Sequence, residues 1–381
     1  MTRAGWFLAV AAAAACDGGG AADDGSAPDG STDGDADTDA DADTDADSDA
    51  DADADSDADT DPTTGPVEEV HLVGRFDASD PAGPQSSWSY TTLRTRVDGG
   101  SLGVSVDGSP GIWFEVVVDG ASIGTLTTPG GPAVLPVIDG LPAGLHDVEL
   151  IRRNEGFFGD VTFGGFVGGT LVATPFPYAH RLEFVGDSIT AGYGVEGDGP
   201  YCAFTADTES AHASYAGVAA RELDAAAHLI AFSGKGVVQN YGGDRTEPMP
   251  EIYPRVTTND PGSVWDFSAY TPDAVVVNLG TNDFSVPIDP AEFVDGYVAL
   301  LAQIRANYPN AAIFAVTWDS WGDHAVDVPY AVTTLGDPNV FVVSFDYVDG
   351  EGWGCDYHPS PVTHDRLGHL LADAIRAELG W

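Results

Sequence analysis

The sequence predicts an α/β protein with two folded parts. The first is an all-β, jelly-roll-like sandwich, and the second is a three-layer domain on a parallel sheet. Three observations predict this. Short alternating runs, separated by Asp-Gly and Gly-Gly pairs, recur from residue 67 to about 175. Longer, uniformly apolar runs alternate with helix-like stretches over 176–381. Between the two parts, ATPFPYAH (173–180) is a proline-broken linker.

Two segments precede the folded parts. In MTRAGWFLAVAAAAAC (1–16) one arginine precedes an apolar run, and small residues lead to Cys16. Such a leader is too short to span a bilayer as a mature helix. Its AAAC ending resembles a bacterial lipobox, with Ala13 where leucine is usual. Lipidation at Cys16 is therefore expected, with export to the cell surface or periplasm and membrane contact only through that anchor; the alternative is ordinary cleavage after an A-x-A site. Residues 17–66 are mostly Asp, Ala, Ser, Thr and Gly. They lack the apolar surface to offset ordering entropy and read as an extended, disordered tether. The alternating aspartates lack the loop glycine and closing glutamate of a helix–loop–helix calcium site, so loose counterion attraction is expected there.

The formal net charge is −47. Residues 1–61 hold nineteen aspartates against Arg3 alone, so this stretch carries −18 and the rest still carries −29. That balance argues against nucleic acid as a partner.

In the first folded part, HLVGRF, SLGVSVDG, GIWFEVVVDG, ASIGTLTT, AVLPVIDG, HDVELIRRNE and DVTFGGFVGG read as strands. In the second, RLEFVGDS, AHLIAFSG, AVVVNLGTND, AIFAVTWD and VFVVSFD read as buried parallel strands. SAHASYAGVAARELDAAA and PAEFVDGYVALLAQIRANY lie between them as helices. VTHDRLGHLLADAIRAEL is a final helix, with Leu367, Leu371 and Ile375 on one face. In such sheets the ligand site lies at the carboxyl ends of the strands.

Those strand ends carry unusual polar text. In FVGDSITAGYG, Ser188 begins a helix after a tight turn, which exposes its hydroxyl and leaves its own N–H nearby. In AFSGKG, Gly234 lets a backbone N–H approach a reacting oxygen. In NLGTNDFS, Asn282 is a neutral amide donor. Ser188 N–H, Gly234 N–H and the Asn282 amide would form a three-donor oxyanion hole. In GCDYHPSPVTH, His358 lies on a loop before the last helix and is the candidate base. His364, at the helix start, reads as a supporting residue.

These blocks in this order resemble the SGNH hydrolases, the GDSL esterase superfamily. With the preceding β-sandwich and the GCDYHPS text, the resemblance narrows to carbohydrate esterase family two, over about residues 67–381. It implies an esterase that removes acetyl groups from acetylated sugars or plant polysaccharides, with Ser188 as nucleophile and His358 as base. One departure matters. Most superfamily members place an acid three residues before the histidine. Here that position is Cys355, and Asp356 is one residue off. In an extended loop that shift turns the side chain to the other side. The resemblance therefore implies a Ser–His dyad in which a backbone carbonyl holds the imidazole.

Trp318, Trp321 and Tyr357 are candidates for sugar stacking, with Trp318 or Trp321 expected as the platform. Cys202 and Cys355 are the two cysteines left in an exported domain, and a disulfide between them is expected. No His/Cys cluster has ligand spacing, so neither metal nor cofactor is implied. The expected partner is an acetylated carbohydrate, and the expected state is a monomer. Two rivals remain open at this point: a lipase- or thioesterase-like hydrolase of longer acyl chains, and a carbohydrate-binding protein with a degenerate hydrolase domain.

Overall fold

The computed structural model describes residues 67–381. The leader, Cys16 and the aspartate-rich segment lie outside the described residues.

The N-terminal part is an antiparallel sheet. Its strands are β1 (Val70–Val73), β2 (Gln85–Ser86), β3 (Thr92–Gly108), β4 (Trp113–Val118), β5 (Ala121–Thr127), β6 (Gly131–Arg152), β7 (Val161–Gly168) and β8 (Leu171–Val172). Their order is β2-β7-β3-β6-β4-β5, with β1 and β8 also paired to β3. Alternate residues of the long strands point inward, so Leu93, Val97, Val104, Phe114, Val148, Leu150 and Phe163 share one core. Two runs that read as separate strands, AVLPVIDG and HDVELIRRNE, belong to one strand, β6, which stops at Arg152 of the second run. The β3–β6 register slips between Asp98 and Gly103. Glycines with positive φ at 99 and 100 allow that bulge, so the strand bends and continues.

The C-terminal part is a five-stranded parallel sheet of order β10-β9-β11-β12-β13. The strands are β9 (His180–Gly186), β10 (Ala225–Ala231), β11 (Ala274–Asn278), β12 (Ala312–Trp318) and β13 (Val340–Phe345). Each coincides with an apolar run named above. The helices are α1 (Ser188–Ala191), α2 (Tyr215–Glu222), α3 (Met249–Ile252), α4 (Pro290–Asn307), α5 (His324–Leu335) and α6 (Pro361–Leu379). Leu182, Phe184, Leu229 and Val276 face α2 and α6, where Tyr215, Leu367, Leu371 and Ile375 complete a core. Val185, Ile230, Val275 and Val277 face the other way, toward Phe293, Leu300 and Ile304 of α4 and Val328 of α5. Burying one such side chain typically contributes roughly 1.5–3 kcal/mol. Chain chemistry starts the helices. Asp289 accepts the Ala291 N–H before Pro290, and Ser360 accepts the Thr363 N–H before Pro361.

The two sheets share core residues. Tyr90, Val117 and Ile151 of the N-terminal part join the α2/α6 core, and Trp88 joins the α4/α5 core. Arg75 is fully buried and pairs with fully buried Glu183 of β9 at 3.1 Å. A buried pair adds little net stability, but losing one partner strands a charge, so this contact fixes how the parts dock.

Candidate active site

Ser188 follows β9 as the first residue of α1. The Asp187 side chain caps that helix by accepting the Ile189 N–H at 3.0 Å. Only 8% of Ser188 is exposed. His358 comes from the loop between β13 and α6, and its Nε2 lies 2.8 Å from Ser188 Oγ. Its Nδ1 lies 3.3 Å from the Cys355 carbonyl. A carbonyl only accepts, so both contacts are satisfied by a neutral imidazole with its proton on Nδ1 and a Ser188 hydroxyl donating to Nε2.

Asp356 does not take the imidazole proton. Its φ is +50° and that of Tyr357 is +60°, a left-handed pair in the turn before His358. Its carboxylate accepts the Tyr193 hydroxyl at 3.0 Å. The Tyr193 ring lies 4.5 Å from the His358 ring and stacks on Phe204 at 3.7 Å. The base loop is pinned elsewhere too. The Cys355 N–H donates to the Gly194 carbonyl at 2.9 Å, and Cys355 is disulfide-bonded to Cys202 across a Cα–Cα distance of 4.8 Å. The loop that carries the base is thereby joined to the loop that follows the nucleophile.

His358 should remain neutral down to about pH 5. Burial lowers its pKa to about 4, against the Cys355 carbonyl and the Asp356 charge, which raise it. A lowered histidine pKa keeps the unprotonated form, the one able to accept a proton, in the majority across neutral and mildly acidic solution. Ring nitrogen chemical shifts followed from about pH 8 to 4 check this, and an imidazolium already formed at pH 6 contradicts it.

Gly234 sits in a turn closed by the Lys235 N–H on the Phe232 carbonyl at 3.2 Å. Its φ of +80° is the conformation that a type II turn requires at its third residue. Asn282 is 6% exposed, and its Nδ2 donates to Asp187 Oδ2 at 3.2 Å and to the Lys235 carbonyl at 2.8 Å. Both amide hydrogens are therefore engaged, which the sequence did not foretell. Asp187 is pushed up to about 7, chiefly by burial. Asp283 was passed over in the sequence. Its carboxylate accepts the N–H groups of Val237, Val238 and Gln239 at 2.8, 2.8 and 3.0 Å, fastening the loop after Gly234 to the end of β11.

The tryptophan expectation needs correction. Trp318 is the last residue of β12 and has 0% exposure, with its indole N–H on Asn278 at 3.0 Å, so no sugar can stack on it. It packs inward because the strand places it on the α2/α6 side of the sheet. Trp321 is partly exposed and lies 4.5 Å from the Trp318 ring. Tyr357, also partly exposed, meets Tyr201 at 5.5 Å and Trp353 at 6.1 Å. His364 is buried and accepts the Tyr215 N–H at 3.0 Å, which locks α6 to α2. Among the described residues no group of three or more His, Cys, Asp or Glu is arranged to hold a metal.

Two family models match. The GDSL-like Lipase/Acylhydrolase family covers residues 184–366, and the Carbohydrate esterase 2 N-terminal model covers 72–175. The cellulase/esterase CelE of Acetivibrio thermocellus is 38% identical over 320 residues. That match takes in 81% of this chain, which spans 39% of that protein's length. An acetylxylan esterase / glucomannan deacetylase of Cellvibrio japonicus is 26% identical over 82% of this chain and 89% of its own. The family two carbohydrate esterase from Clostridium thermocellum, solved in complex with cellohexaose, superposes with a TM-score of 0.78 at 37% identity. The match covers 82% of this chain and 99% of that one. With both halves matched in order and nearly the whole of that esterase covered, the chain belongs to carbohydrate esterase family two.

Proposed function

We propose that this protein removes acetyl groups from acetylated sugars or plant polysaccharides such as xylan and glucomannan, through an acetyl-Ser188 intermediate and a Ser–His dyad. The observation that carries the reading is the Ser188–His358 contact of 2.8 Å with His358 Nδ1 on a backbone carbonyl. In this mechanism Nε2 takes the Ser188 proton as Oγ attacks the ester carbonyl. The imidazolium then gives that proton to the departing sugar oxygen. Water attacks the acetyl-enzyme, assisted by the same nitrogen, and acetate leaves. The Ser188 and Gly234 N–H groups and the Asn282 amide would stabilise the tetrahedral oxyanion. The Asn282 hydrogen on Asp187 makes the longer of its two contacts, so it is the one an oxyanion would claim. The names of the Cellvibrio relatives support the substrate class.

The test is hydrolysis by the whole chain of acetylated xylan, acetylated glucomannan and 4-nitrophenyl esters of graded length. Acetate release from at least one polysaccharide is expected. The acetyl ester should exceed the octanoyl ester by about 100-fold or more in kcat/KM, because methylenes that find no pocket cost transition-state binding. Comparable rates on the octanoyl ester would favour a lipase-like hydrolase instead. No turnover of any ester would favour a carbohydrate-binding role.

A further inference from the structure

The stretch HDVELIRRNE reads in sequence as the end of a strand. In the structure its last three residues, Arg153–Glu155, leave the N-terminal sheet and enter the active-site half. Arg152 is fully buried and donates to the carbonyls of Ser86, Asn154, Glu155 and Gly159 at 3.0, 2.8, 3.0 and 2.7 Å, which makes the segment stiff. Arg153 pairs with Glu115 at 3.1 Å and with Glu196, and its Nε donates to the Glu209 carbonyl at 3.3 Å. Its own carbonyl accepts the Ala211 N–H at 2.8 Å. Arg153 thus holds the loop that follows the nucleophile helix.

Glu155 reaches the opposite wall of the site. It is 0% exposed, and its two carboxylate oxygens accept the Ser233 N–H and the Ser233 hydroxyl. Ser233 is the second residue of the turn whose third is Gly234. That turn is fastened to two other parts of the site. The Phe232 N–H donates to the Gly186 carbonyl at 3.2 Å, two residues before Ser188, and the Lys235 carbonyl holds the Asn282 amide. The strand end before Ser188, the Gly234 turn and the Asn282 amide are therefore tied to one buried carboxylate that follows β6.

A buried carboxylate is costly, so this one needs a reason to be there. Its carboxyl interacts electrostatically with that of Glu209, also 0% exposed, whose two oxygens have no hydrogen-bond partner. Burial raises both carboxyls. Glu155 has a Ser233 donor on each oxygen while neither Glu209 oxygen has one, so a proton held by the pair belongs on Glu209. Glu155 then keeps both oxygens as acceptors for Ser233.

We propose that Glu155 is a positioning residue for ester hydrolysis: a carboxylate lent by the N-terminal sheet that sets the Ser233–Gly234 turn and so aims the Gly234 N–H at the oxyanion. The role assigned to the N-terminal sheet is to complete the catalytic site. This rests on the proposed esterase activity. It acts on the transition state, since the turn touches the reacting oxygen only once charge develops there.

The experiment compares Glu155→Ala, Glu155→Gln and Ser233→Ala in the whole chain, on one acetyl ester, with folding checked by circular dichroism. Affinity for a phenylboronic acid, a tetrahedral adduct former on serine, is measured in parallel. Folded Glu155→Ala should lose about 10–100-fold in kcat with KM within about twofold, and boronate affinity should fall with kcat. Glu155→Gln keeps an acceptor for the Ser233 N–H and should recover to within about fivefold of the wild type. Ser233→Ala loses one of the two bonds and should lower kcat severalfold. A Glu155→Ala protein that melts earlier yet keeps its kcat and boronate affinity overturns the proposal. If Glu155→Ala does not fold, an unchanged kcat in Ser233→Ala overturns it. A wild type with no activity on acetyl esters defeats the esterase reading itself, whereas an active wild type with fully active variants defeats only this inference.

Discussion

Replacing Asn282 by alanine should lower kcat by about 10²–10³-fold and leave KM nearly unchanged. The side chain is nearly inaccessible, and its Nδ2 joins two strand ends, Asp187 beside the nucleophile and Lys235 beside Gly234. An amide in that place has two effects. In the proposed mechanism it supplies a neutral donor where negative charge forms, and through Lys235 it ties the Gly234 turn to Asp187 beside Ser188. Alanine removes both. A donor felt only when the oxyanion forms stabilises the transition state more than the bound ester, so the loss belongs in kcat. Asp187 would also lose a donor, but burial already raises its pKa to about 7, so it can stay neutral and the fold should survive. Steady-state kinetics on an acetyl ester check this. A folded variant within tenfold of the wild-type kcat would remove Asn282 from the oxyanion hole.

The parallel sheet was legible because its strands are buried on both faces. AVVVN or AIFAV has no period to misread; the first is the whole of β11 and the second opens β12, which runs on to Trp318. Helix α5 was not legible. Pro329 lies inside it, and Val326 and Tyr330 are exposed, so its apolar residues mark no single face. The long strands β3 and β6 look shorter in sequence because Asp-Gly and Gly-Gly pairs resemble stops, whereas positive φ at Gly99 and Gly100 lets β3 bend and go on. Within the site, Ser188, Gly234, Asn282 and His358 were legible because each ends or follows a strand, and a parallel sheet gathers those ends at one edge. The offset reading assumed an extended loop, whereas Asp356 and Tyr357 form a left-handed turn, and the Asp356 carboxylate meets Tyr193, which no local pattern marks. Burial is invisible in a string of letters, which is why Trp318 looked like a sugar platform. Glu155 was invisible for a different reason: it meets Ser233 across 78 residues, and no local pattern marks that contact.

In the proposed mechanism His358 serves Ser188 without a carboxylate behind it. A backbone carbonyl fixes the tautomer as well as a carboxylate does, since both accept the Nδ1 proton. It supplies less charge to an imidazolium. Asp356 still acts at a distance, raising the His358 pKa through its charge while its oxygen stays on Tyr193. Removing the base leaves the hydroxyl of Ser188 weakly nucleophilic, and in a serine protease even a wrong tautomer costs about 10⁴ in kcat. The direct measurement is kcat of folded His358→Ala and Asp356→Asn on one acetyl ester at neutral pH. His358→Ala should fall by about 10⁴-fold or more, while Asp356→Asn should stay within about tenfold of the wild type. If Asp356→Asn falls as far as His358→Ala, Asp356 is the missing acid and the dyad is wrong.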